Sequence, residues 1–137
     1  MFWVYPVGAT GSPSIIANDN TAGADNNGIR FYNDAAATAM HEFAGNGTTS
    51  AQVGAGGSNS LPANTWSMLT VTYDGTTMTG YIGTTGGSTA TLAGPVAAPT
   101  NALGFGYNPA SGTDFFQGRI SGVAIYNRAL TSAKWQR

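Results

Sequence analysis

At 137 residues the chain has the length of one ordinary domain, read as a single unit over 1–137, and can bury a core without metal or disulfide help. Only 8% of its residues are charged and the net charge is −1, so Lys134, Arg30, Arg119, Arg128 and Arg137 cannot form the basic stripe that nucleic-acid binding requires. There is no Cys, hence no disulfide framework and no thiolate zinc site. No apolar run approaches the length of a membrane-spanning helix, and Met1 leads into Phe2-Trp3-Val4-Tyr5 without the basic and apolar regions of a signal peptide.

Taken in chain order, short β-type runs are punctuated by Gly and Pro. Phe2 to Tyr5 reads as a strand stopped by Pro6, which has no N–H for a ladder. Ser14 to Ala17 is a second run, followed by a long polar loop from Asn18 to Gly28 rich in residues that tolerate left-handed backbone. Ile29 to Tyr32 and Ala39 to Phe43 are the next strands. Trp66 to Tyr73 alternates most clearly: Leu69, Val71 and Tyr73 share one face, and Trp66, Met68, Thr70 and Thr72 share the other. Asp74-Gly75 then supplies a turn, with Asp74 capping it, and Met78 to Ile82 returns as the second strand of a hairpin. Thr89 to Ala93, Leu103 to Tyr107 and a long Phe115 to Tyr126 complete the set. Gly118 and Gly122 interrupt the last run and mark a bulge or a close backbone approach. Thr131 to Gln136 is the single helical stretch. The pattern predicts an all-β fold, a two-sheet antiparallel sandwich.

Four segments carry a resemblance. Phe2-Trp3-Val4-Tyr5-Pro6 resembles the "fWvkP" strand of laminin G-like, concanavalin A-like domains. Trp66 to Thr76 resembles their "W-hhvavtyDGt" hairpin, and Tyr81-Ile82-Gly83 their "lYvnG" strand. Phe116 to Thr131 is similar to their closing "f-G-IdevriYnraLs". The order of the four segments matches as well, over essentially the whole chain. The resemblance implies a jelly-roll sandwich used mostly for binding or structure, often near a Ca²⁺ site on its rim. It also places Trp3, Trp66 and Tyr126 at core positions. Two departures stand out. The strand pair with an "F-dG" motif that usually precedes "fWvkP" is absent, so Arg119 to Asn127 is expected to lack a strand partner, an aggregation hazard that proteins normally cover. The family's acidic pair in "IdevriY" is here Ser121-Gly122.

The chemistry of the chain argues against catalysis. Glycoside hydrolysis generally uses two facing carboxylates, and related glycanases carry E-x-D-x-x-E on one strand. This chain has Glu42, Asp19, Asp25, Asp34, Asp74 and Asp114, with no two at i, i+2 spacing. His41-Glu42 begins like H-E-x-x-H, but position 45 is Gly45 and no second His exists. His41 could serve a Ser-His-Asp triad, yet there is no G-x-S-x-G elbow; it reads as a half-exposed strand residue. The glycines at 54–57 and 86–87 read as turns. The chain is therefore expected not to be an enzyme.

Binding fits better. Sugar sites pair an aromatic face with short polar side chains, displayed on loops of a rigid scaffold. The candidate ligand-binding residues are Asn18, Asp19 and Asn20 in the first loop and Tyr107 and Asn108 in the later one. Asp25, Asn27 and Asp114 are the candidate oxygen ligands for Ca²⁺, although neither loop fits an EF-hand. The expected role is a non-catalytic, lectin-like module that recognises a glycan, surface polysaccharide or cell surface. The alternatives are a decoration protein on an assembly such as a phage virion, bound to a capsid or fibre protein, or a module of a secreted multidomain protein. An oligomer is expected, at an extracellular or virion surface.

Overall fold

Apolar side chains of the strands face inward, alternating with exposed ones on β1 and β5 and buried throughout on β2, and ten strands form among the described residues. The structure is a computed structural model that describes residues 1–8, 12–19, 26–33, 40–54, 61–83, 85–131 and 134. In chain order the strands are β1 (Phe2–Pro6), β2 (Ser14–Ala17), β3 (Asn27–Asn33), β4 (Met40–Asn46), β5 (Ser50–Val53), β6 (Ser67–Tyr73), β7 (Thr77–Ile82), β8 (Thr85–Thr91), β9 (Gly104–Phe105) and β10 (Gly118–Ser121). They form two antiparallel five-stranded sheets. Sheet A has the order β10-β1-β6-β7-β8 and sheet B the order β5-β4-β3-β2-β9. This is the all-β, two-sheet sandwich expected of a jelly roll.

The inner faces enclose two apolar clusters. One gathers Phe2, Val4, Ile15, Ile16, Met40, Leu61 and Leu69; the other gathers Ala44, Ala51, Val53, Met78 and Leu92. Phe2 of sheet A meets Phe31 of sheet B edge-to-face, with ring centroids 5.2 Å apart, a geometry that adds about 1 kcal/mol to simple burial. Leu69, Val71 and Tyr73 all join the core, as their alternation predicts. The β6–β7 hairpin is closed by Asp74, whose Oδ1 accepts from Thr76 N–H (2.9 Å) and Thr77 N–H (2.8 Å). These bonds favour the carboxylate and hold its pKa below the ordinary value.

The sequence and the structure differ in six respects. β5 is not expected from sequence, because its four residues, Ser-Ala-Gln-Val, carry little apolar signal. The run at Leu103–Tyr107 keeps only Gly104–Phe105 as strand, and the Thr89–Ala93 strand is shifted to Thr85–Thr91. The long closing strand contracts to Gly118–Ser121, and its regular ladder stops where Gly122 turns left-handed. Nor does it lack a partner: β10 pairs with β1 from Pro6↔Gly118 to Trp3↔Ser121. Finally, Trp3, Trp66 and Tyr126 are not core residues, being 45%, 42% and 51% exposed. Trp3 sits between the buried Phe2 and Val4 and so faces outward, and Trp66 leans on Tyr5, centroids 5.5 Å apart. Of the helical run, residues 132–133 and 135–137 lie outside the described residues.

Both glycines of the closing run act as the sequence suggests. After Trp3↔Ser121 the ladder would bring Met1 to Val123, yet Met1 exchanges two 2.8 Å backbone bonds with Ala124. The extra residue is a bulge at Gly122, whose φ of 59° suits glycine. At Gly118 a Cβ would fall on the Tyr5 carbonyl and within 2.6 Å of the Phe116 ring. Gly118→Ala should therefore lower the urea-unfolding free energy by about 2 kcal/mol. Gly75→Ala, with nothing within 4 Å of its added carbon, should cost only the backbone strain of a positive φ, about 1 kcal/mol.

Candidate functional site on the sandwich rim

Two aromatic rings on the rim of sheet B form the most ligand-like feature of the described surface. Tyr107 follows β9 and Phe115 leads towards β10; their rings lie nearly parallel, 24° apart with centroids separated by 6.4 Å. Tyr107 is 37% exposed and Phe115 66% exposed. The Tyr107 ring lies over Gly104, where a Cβ would stand 3.1 Å from its Cε1 and 2.9 Å from Pro109 Cδ. A side chain at that position would displace the ring.

The loop between the two aromatics is held from inside. Asn108 is fully buried, and its Oδ1 accepts from Ala110 N–H at 2.9 Å. Its carbonyl accepts from Gly112 N–H (2.9 Å), and its own N–H donates to the Thr113 carbonyl (3.1 Å). The Nδ2 amide has no hydrogen-bond partner. Asp114 takes a left-handed backbone, φ 59°. Its Oδ2 accepts from Arg30 Nη2 at 3.0 Å, the ion pair formed among the described residues. Arg30 is 5% exposed; its Nε donates to Ser14 Oγ (2.9 Å), Nη2 also to the Ser12 carbonyl (3.2 Å), and its guanidinium lies 4.5 Å from the Tyr32 ring centroid. The parallel bridge Ser14↔Phe115 fixes the base of the second ring.

The other predicted residues lie elsewhere. Asn18 follows β2 at its far end, where its Oδ1 accepts from Ile29 N–H (2.9 Å) and holds the start of β3. Asp19 is buried, and its carbonyl accepts from Asn101 Nδ2 at 2.8 Å. Asn27 is a ladder residue opposite Asn46. Asn20 and Asp25 lie outside the described residues. Asp114 lies beside Ser14, whose ladder partner is Tyr32, and Asn27 is five residues along β3 from there, roughly 17 Å away at the strand rise. Among the described residues no three His, Cys, Asp or Glu side chains gather for a metal ion. Sequence reasoning picks out Tyr107 and Asn108 but misses Phe115 and Arg30. Phe115 sits in Asp-Phe-Phe, and nothing in the sequence tells which of the two rings turns outward.

A second polar group lies between the sheets. Glu42 is 1% exposed, and neither carboxyl oxygen has a hydrogen-bond partner from another residue. On β4 it stands between Met40 of one apolar cluster and Ala44 of the other. Across the sandwich it faces Gly80, where a Cβ would lie 3.0 Å from its Oε2. Burial pushes its pKa up to about 8. Its half-exposed neighbour His41 stacks on Tyr32 on the outer face, ring centroids 4.9 Å apart, with Nδ1 2.6 Å from Gln52 Nε2.

These charges set two expected outcomes. A group whose folded pKa is raised holds a proton that the unfolded chain releases, so its share of stability is whole below about 4.5 and is lost as pH rises to about 8. Between those limits Glu42→Gln should flatten the pH dependence of the unfolding free energy by on the order of 4 kcal/mol, read from urea titrations across that range. Asp114→Ala leaves the Arg30 guanidinium short of its carboxylate and should cost about 2 kcal/mol, discounted from a fully buried pair because Asp114 is partly exposed.

The chain matches the model of the concanavalin A-like lectin/glucanases superfamily (laminin G type) over residues 1–134. No curated protein gives a significant match. Laminin G-like domains are non-catalytic recognition domains. No helix among the described residues is long and apolar enough to cross a membrane. Matched over nearly all its length and folded as the family folds, the chain belongs to the concanavalin A-like lectin/glucanase superfamily.

Proposed function

We propose that this chain is a non-catalytic recognition module that binds a neutral glycan at the Tyr107–Phe115 rim. The observation that carries this reading is the exposed, nearly parallel aromatic pair mounted on an internally braced loop. Aromatic faces pack on sugar C–H groups, and the exposed Ser111 and Thr113 hydroxyls supply hydrogen bonding beside them. Arg30 and Asp114 neutralise one another, so the rim offers no net charge, in keeping with an uncharged ligand. Ca²⁺ has no necessary part in this site, because the Asp114 carboxylate already answers Arg30.

A second reading, a subunit of a larger surface assembly, draws support from the low charge and from Val123, Ile125 and Tyr126, exposed by 38%, 70% and 51%. It predicts an oligomer by light scattering.

The glycan reading is tested on an array of neutral oligosaccharides with Ca²⁺ or with chelator. Binding at millimolar ligand or tighter, unchanged by chelator and weakened at least tenfold in Tyr107→Ala and Phe115→Ala, is the expected result. Absence of binding at millimolar ligand, or binding that survives the double substitution, would overturn it.

A further inference from the structure

Glu42 meets sheet A at its least secured strand. Its carboxyl lies between the sheets, 1% exposed, with neither oxygen bonded to another residue. A Cβ on Gly80 of β7 would stand 3.0 Å from its Oε2, and one on Gly54 would stand 2.9 Å from it. Two bare glycines thus wall the carboxyl where side chains would otherwise stand. β8 closes the same seam: Ser88 Oγ accepts from Gly54 N–H at 2.6 Å, a tie between the two sheets. The β7–β8 ladder is irregular here, because Thr79↔Thr89 is followed by Tyr81↔Gly86 and one extra residue of β8 stands opposite Gly80. β8 is also the edge of sheet A, and none of Ser88, Thr89, Ala90 and Thr91 is fully buried. β5, the edge strand beside β4, instead buries Ala51 and Val53 on an unbroken ladder from Glu42↔Val53 to Gly45↔Ser50. Releasing β8 therefore gives up less apolar burial than releasing β5.

We propose that ionisation of Glu42 releases β8 from β7 and admits water to the seam while the rest of the sandwich stays folded. A carboxylate enclosed by apolar surroundings must gain a cation, hydrogen bonds or water. Among the described residues no cation faces it. β3 presents Ile29 and Phe31, β5 Ala51 and Val53, β7 Met78 and Gly80, and β8 Ala90. The titratable group of that core is Tyr73 of β6, whose O–H donates to the Leu92 carbonyl at 2.6 Å. Arg30 and His41 stand on the outer face of sheet B, engaged with Asp114 and Gln52. Water is the remaining means of solvating the charge, and the irregular edge strand is where it enters most easily. With β8 closed, burial holds the Glu42 pKa up to about 8; with β8 open, the group returns towards its ordinary 4.5. Opening therefore becomes easier as pH rises between those values, about tenfold per pH unit, and levels off above them. This device stands whether or not the Tyr107–Phe115 rim binds sugar.

The test is native-state hydrogen exchange of the intact protein, with each rate divided by that of unstructured peptide at the same pH. Protection of the β7–β8 ladder amides should fall about tenfold per pH unit between roughly pH 5 and pH 8. It should depend little on urea, because a local opening exposes little surface. The β1–β6 amides should stay better protected and respond steeply to urea. Glu42→Gln, neutral throughout and of nearly the same shape, should hold the β7–β8 protection nearly constant over that range. Three results would overturn the proposal: the same pH slope in Glu42→Gln; a pH-dependent loss over Ser50–Val53 instead, which would place the opening at β5; or β7–β8 amides that share the exchange free energy and urea dependence of the β1–β6 amides, so that only global unfolding reaches Glu42.

Discussion

A buried guanidinium leaves a fold little freedom, and Arg30 fixes much of this one. A guanidinium carries five N–H donors in a rigid plane, and once buried they must be met by acceptors held in place. Ser12, Ser14 and Asp114 supply them, and Tyr32 supplies a ring face. The approach to β2, the middle of β3 and the loop before β10 are thereby tied to one planar group. The left-handed backbone at Asp114 is the local strain that brings its carboxylate to Arg30. The residue after it, Phe115, is consequently turned outward beside Tyr107. The exposed ring pair of Tyr107 and Phe115 thus stands beside one buried, satisfied cation.

The core is divided by a second polar constraint. Along β4 the inward positions are Met40, Glu42 and Ala44, and along β7 they are Met78, Gly80 and Ile82. Glu42 and Gly80 meet at the seam, so the only side chain small enough to leave room lies opposite the only inward carboxyl of these two strands. Protonated, Glu42 is a poorly solvated but neutral filler of that seam; ionised, it is a charge between two sheets that no cation among the described residues pairs. The two apolar clusters are separate because this polar strip runs between them.

How much of this was legible in sequence depends on how far each feature is local. The β6–β7 hairpin was readable in full, because alternation, turn and cap all lie within sixteen residues of chain, from Ser67 to Ile82. The roles of Gly118 and Gly122 were readable as a pair, since a glycine that interrupts a strand run commonly marks a bulge or a close backbone approach. What failed was long-range. The resemblance puts Trp3 and Trp66 in the core, whereas Phe2 and Val4 face inward on β1 and turn the Trp3 indole out, and Trp66, just before β6, leans on Tyr5. Arg30 looks like one of several scattered cations, because its partners Ser12, Ser14 and Asp114 are distant in sequence. The two candidate loops look alike in composition, yet β2 holds them apart. Tyr107 alone among the chosen residues presents an exposed ring beside polar groups.

The edge of sheet A at β10 is likewise set by long-range pairing. Sequence places it along Arg119 to Asn127, as though a whole strand were unpaired. In the structure β10 lies at the rim of sheet A, paired on one side, short, and bent away by the Gly122 bulge. Short, bulged rims are how sheets discourage edge-to-edge pairing. A rim strand of four residues offers few free backbone groups, and the bulge turns the chain out of register before a neighbour could extend the ladder.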